Sequence, residues 1–199
     1  IARPYIGTKK GHFTRTSNRH DYALAPFSKT ALDSLKDAGL DVIGVGKIPD
    51  IFVDQGITRK IKTVSNEDGM NKTIELASDN FNGLAFINLV DFDAVYGHRR
   101  NAAGYGKAIE EFDVQLGELI NELKNDDLLM VTADHGNDPT YRGTDHTREQ
   151  VPLIIYSKQF NEMKVLNDSN SFGIIGSTIC DNFNVKYNGI GSSILELLK

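Results

Sequence analysis

Two apolar runs that each stop on carboxylates and a histidine constrain this chain more than anything else in it. Leu128-Leu129-Met130-Val131 leads directly into Thr132–Glu149 (TADHGNDPTYRGTDHTRE), which holds two of the five histidines. Four consecutive apolar residues are hidden only where both faces of a sheet are covered, so the run predicts a buried strand. Asp134 and His135 follow its end. A carboxylate taken out of water is costly unless something compensates, and a bound cation compensates well. Gly136 lets the backbone turn, Pro139 and Gly143 keep the next segment a loop, and that loop returns His146. Taken alone, Asp134-His135 reads equally as a polar junction with a hydrogen-bonded histidine.

The second run is Gly83 to Leu89 (GLAFINL), which ends in VDFDAVYGH and so brings Asp93 and His98. Between the two runs, Tyr105, Ala108, Ile109, Phe112, Leu116, Leu119, Ile120 and Leu123 form one apolar stripe at helical spacing. Strand, helix, strand at this length predicts a right-handed crossover between parallel strands. Parallel strands end on one edge of the sheet, where open α/β sheets hold ligands. Asp93, His98, Asp134, His135 and His146 are therefore expected to meet there. Oxygen and imidazole donors suit zinc, manganese or iron. Five such side chains exceed one tetrahedral site and fit most of a metal pair, an arrangement suited to phosphoryl transfer.

The motifs DFDAVYGHRR, TADHGNDP and GTDHTRE, with FTRTSNRHDYAL near the start, resemble the phosphopentomutase family of the alkaline phosphatase superfamily. The likeness covers essentially the whole chain. It implies an alkaline phosphatase-like α/β core, a largely parallel sheet with helices on both faces. It also implies that Asp93, His98 and His146 bind one metal and Asp134 with His135 the other, usually manganese. The family's remaining aspartate ligand and its phosphorylated threonine have no counterpart here. The chain is accordingly expected to be the C-terminal half of a longer enzyme and to need its missing N-terminal half. The implied reaction interconverts ribose 1-phosphate and ribose 5-phosphate, or the deoxyribose phosphates, through a phosphothreonine enzyme and a bisphosphate. Two alternatives stand: a metal-dependent phosphatase or phosphoglycerate mutase-like enzyme on the same core, and a non-catalytic metal-binding module.

Residues 1–24 carry Arg3, Lys9, Lys10, Arg15 and Arg19 without a long apolar run, a basic patch in a chain of net charge −5. Either it is a solvated arm, or its arginines grip phosphate, which a guanidinium fork matches bidentately. The resemblance favours the second reading. It makes 1–24 the end of a small α/β cap domain and its return linker, with Arg15 and Arg19 on the substrate phosphate. Residues 25–199 then form the C-terminal part of the metal-binding core. Ser28 is expected to cap a helix through Leu32 and Leu35, followed by a strand Asp41–Gly46 whose end presents Lys47. That lysine is either a surface residue or a phosphate ligand. The acidic balance argues against a nucleic-acid partner, and no run reaches the roughly 20 apolar residues of a membrane span. The single cysteine, Cys180, reads as a small core residue. A pentose phosphate is the expected partner and the cytoplasm the expected location.

Overall fold

The computed structural model describes residues 2, 4–16 and 22–198, with the side chain of Arg15 outside that set. Arg19 therefore lies outside the described residues. A short antiparallel hairpin comes first, β1 (Tyr5–Ile6) and β2 (Thr14–Arg15), with Tyr5 and Phe13 meeting edge to face at 5.0 Å.

The main sheet is organised around β3 (Asp41–Val45), flanked by β4 (Arg59–Ile61) and β5 (Gly83–Ile87), all parallel. Val42, Ile43 and Val45 are buried, and their alternation sends them to opposite faces. Val42 packs with Leu32 and Leu35 of α1 (Ala31–Asp37), Ile48 of α2 (Ile48–Ile51), and Cys180 of α5 (Gly173–Asn182). Ile43 and Val45 pack with Leu76 of α3 (Asn66–Ser78). The expected helices on both faces are present. At Gly44 space is tight, since a Cβ there would lie 3.0 Å from Pro49 Cγ and 3.3 Å from Ile57 Cδ1. Gly46 turns the chain at φ 75°, as its place after the strand predicts.

Capping differs in detail. Thr30, not Ser28, starts α1. Its hydroxyl accepts from Asp33 N, and its own backbone N–H donates to Asp33 Oδ2 at 2.7 Å. The two bonds form a reciprocal capping box, which a serine two residues earlier cannot reach.

The largest departure concerns the crossover. The long helix is there, α4 (Ala102–Glu122), and β6 (Leu129–Thr132) follows it. Yet β6 is not bonded to β5. It pairs antiparallel with β7 (Leu153–Tyr156), Thr132 opposite Leu153. Among the described residues, β5 and β6 each keep one strand edge without a strand partner. The apolar run 128–131 is half-buried rather than buried, and β6 pairs with β7 alone among the described strands. An open cleft runs from there to α5 and α6 (Leu195–Leu198), lined by Ile154, Phe160, Met163, Val165 and Phe172. No helix among the described residues is long and apolar enough to cross a membrane.

Candidate metal centre

Asp93 is carried by a π-helical turn, Phe92–Gly97, between β5 and α4. The backbone N–H of His98 donates to Asp93 O at 3.0 Å, and that of Asn101 to Tyr96 O at 3.0 Å. In an α-helix of about 3.6 residues per turn, positions five apart point away from each other. The wider π turn brings them onto one side, so Asp93 and His98 face the same space. Asp91 is committed elsewhere. Its carboxylate accepts from Asn66 N at 2.7 Å and its N–H donates to Asn66 Oδ1 at 2.9 Å, which clamps the turn to the start of α3.

The second group comes from the loop after β6. Gly136 forms an antiparallel bridge with Thr147, which closes the loop at its base. Glycine is needed because a Cβ would meet Thr147 O at 2.9 Å, not because the chain makes a left-handed turn. The closed loop delivers His146 beside Asp93, with Nε2 3.2 Å from Oδ1, while His98 Nε2 lies 3.3 Å from Oδ2. His146 stacks between His135 at 3.7 Å and His98 at 4.8 Å. Donor atoms of Asp93, His135 and His146 lie within 4.8 Å of one another. Mutual proximity thus selects His135, and direct pairing with the carboxylate selects His98. Asp93 and His146 are common to both groupings.

Four of the five sequence-predicted ligands therefore meet around Asp93. The fifth, Asp134, reaches only the neighbouring ring, with Oδ2 3.6 Å from His135 Nε2, and its side chain is 72% exposed against 33% for Asp93. It opens onto the cleft. Lys47, at the carboxyl end of β3, pairs with Asp50 at 2.8 Å. Arg15 contributes backbone to the hairpin.

The donor set suits a divalent cation. His98 Nδ1 meets Thr144 O at 2.5 Å, which makes Nδ1 the protonated nitrogen and leaves Nε2 free to ligate. Burial, then the charge of Asp93, pushes the Tyr105 hydroxyl above the usual tyrosine range. Hydrogen bonds from the Thr140 hydroxyl and backbone hold Asp138 below the usual carboxylate range.

Two contributors were not singled out in the sequence. Arg100 sits in the left-handed region at φ 51° and holds the 137–146 loop through several carbonyls. Asn137 is buried and donates to Asp93 Oδ1 at 2.6 Å. Both lie inside motifs already quoted, DFDAVYGHRR and TADHGNDP, but nothing in those strings marks either as a partner of Asp93.

The model of the Metalloenzyme superfamily matches residues 5–187. Among curated relatives, "Phosphopentomutase" of Agathobacter rectalis is 59% identical over all of this chain and 51% of its own length. The protein of the same name from Clostridium botulinum is 58% identical over all of this chain and 50% of its own. The chain thus spans about half the length of these relatives. Among solved structures, phosphoglycerate mutase of Leishmania mexicana at low cobalt concentration aligns with a TM-score of 0.62. It is 17% identical and covers 85% of this chain and 39% of that one, a likeness of fold.

Proposed function

The chain belongs to the Metalloenzyme superfamily, and from that premise we propose that it forms part of a phosphopentomutase. The substrates are pentose 1- and 5-phosphates, ribose or deoxyribose, and the enzyme is a cytoplasmic one. The observation that carries this reading is the carboxylate of Asp93 set between His98 and His146, in a chain 59% identical to a phosphopentomutase.

In this reading Asp93, His98 and His146 hold one divalent ion, and Asp134 with His135 hold part of the shell of a second, manganese in both cases. Such ions supply the positive charge that polarises phosphoryl oxygens and offsets charge developing in transfer. The protein's own part is orientation. Thr144 O aims His98, the Gly136–Thr147 bridge aims His146, and the π turn aims Asp93. Asp134 stays exposed on an open cleft, so residues outside this chain complete its surroundings. The phosphorylated threonine and a further aspartate belong to that other half, and the transferred group passes through a bisphosphate. Residues 1–24 are the end of a cap domain, 25–199 part of the core, and Arg15, Arg19 and Lys47 bind substrate phosphate.

A chimera tests this. The matched half of the Agathobacter rectalis enzyme is replaced by these residues and assayed for conversion of ribose 1-phosphate to ribose 5-phosphate. Mutase turnover is expected, whereas the 199-residue chain alone should be inactive, lacking the covalent nucleophile. Release of free phosphate without isomerisation would assign a phosphatase instead.

A further inference from the structure

We propose that Asn137 and Arg100 are positioning residues that hold Asp93 to a single metal-ligating oxygen. The inference rests on the metal-site reading above.

Asn137 is buried between two charged groups. Its Nδ2 donates to Asp93 Oδ1 at 2.6 Å, and its Oδ1 accepts from Arg100 Nη1 at 2.8 Å. The amide orientation is dictated by chemistry. A guanidinium can only donate and a carboxylate can only accept, so the amide oxygen must face Arg100 and the amide nitrogen must face Asp93.

Arg100 is itself fixed. Nε donates to Gly143 O at 2.5 Å and Nη2 to Asp145 O at 2.6 Å. Nη1 also reaches Asp138 O at 2.8 Å and Gly97 O at 3.1 Å. The guanidinium thus ties both sides of the loop to the π turn. It also fixes the loop segment from which Thr144 O meets His98 Nδ1. Gly97 leaves the necessary room, since a Cβ there would lie 2.4 Å from Asn137 Nδ2.

The consequence falls on Asp93. Oδ1, although 3.2 Å from His146 Nε2, already accepts the amide bond, so Oδ2, on the His98 side and without that donor, is the oxygen favoured to bind a cation. Partners behind a metal ligand typically change affinity by about 10- to 100-fold when lost. A plain loop staple would leave the ligation mode of Asp93 untouched, so that mode is what separates the two roles.

The test is cobalt(II) titration of the 199-residue chain and of Asn137→Ala, following affinity and the visible absorption of the bound ion. The alanine variant keeps the carbonyl contacts of Arg100. Asn137→Ser serves as a second route if alanine does not fold by circular dichroism. The expected result is binding weakened by about tenfold or more, with band positions and intensities changed as Oδ1 joins the shell. An unchanged spectrum in a folded variant overturns the proposal whatever the affinity does. A wild-type chain that binds no cobalt overturns the metal-site reading and this inference with it.

Discussion

The sheet around β3 and the ribbon of β6 and β7 are both built on aliphatic-rich strands, but only the first is enclosed. Val42, Ile43 and Val45 lie between α1 and α5 on one face and α3 on the other. On the ribbon, β6 is half-buried and Ile154 of β7 is 60% exposed, next to a cleft where Met163 and Val165 are each 93% exposed. Contiguous apolar exposure of this kind marks a surface made to be covered. The candidate metal centre lies across the boundary, with Asp93 and His98 following β5 and Asp134, His135 and His146 following β6. Positioning of site residues therefore depends on where strands end and how loops close, and less on whether the strands are enclosed.

The sharpest way to break this comparison is through the exposed Asp134, the proposed ligand on the open side. In the chimera, Asp134→Asn should reduce mutase turnover by more than about 100-fold, the upper range for losing even an outer partner of a metal ligand. The amide keeps the shape and loses the charge, so circular dichroism should be unchanged. Near-normal turnover at ordinary manganese would remove Asp134 from the site.

Next in size is the enclosed core. Leu35→Ala should destabilise the chain by about 2–5 kcal/mol in denaturant unfolding, because Leu35 is fully buried beneath β3. A loss below about 1 kcal/mol would mean that this half is looser than its burial indicates.

Much of this architecture was legible in the sequence, for physical reasons that also explain the exceptions. The stripe from Tyr105 to Leu123 became α4, because its spacing has a helical period. Gly46 takes the left-handed conformation expected at the end of its strand. The pairing of β6 was not legible. An apolar run reports that a strand wants cover, not which strand adjoins it, and the partner proved to be β7, antiparallel. The π turn under Asp93 was equally hidden, since FDAVYG carries no mark separating a π turn from an α-helical one. The grouping around Asp93 was expected from parallel strands ending on one edge, whereas here His146 arrives by closure of the loop after an antiparallel β6. Arg100 and Asn137 were not expected, because their role depends on a loop closure that only coordinates reveal.

Capping effects should be smaller. Thr30→Ala is expected to remove about 1 kcal/mol. Its partner Asp33 adds a pH signature. Burial alone would raise this carboxyl, but hydrogen bonds from Gln55 and Thr30 together outweigh it and hold Asp33 below its ordinary range. A depressed folded value stabilises the protein above the ordinary carboxylate range. That stability is lost as pH falls through the lowered value. Melting temperatures of wild type and Asp33→Asn should therefore differ at neutral pH and draw together in acid. A constant gap would show that the charge of Asp33 is not what stabilises the cap.

The smallest effect belongs to the open ribbon. Ile154→Ala should shift the stability of the isolated chain by no more than about 0.5 kcal/mol, and should cost clearly more in the chimera if, as proposed, the other half covers the cleft. Equal effects in both proteins would mean that this face stays open.

The central claim is that Asp93, His98 and His146 hold a metal ion. Anomalous diffraction at the manganese edge, from crystals of the chain grown with manganese, tests it most directly. The account predicts a peak at ligand distance, about 2–2.5 Å, from a carboxylate oxygen of Asp93 and from both imidazole Nε2 atoms. A peak elsewhere, or none at saturating manganese, would contradict it.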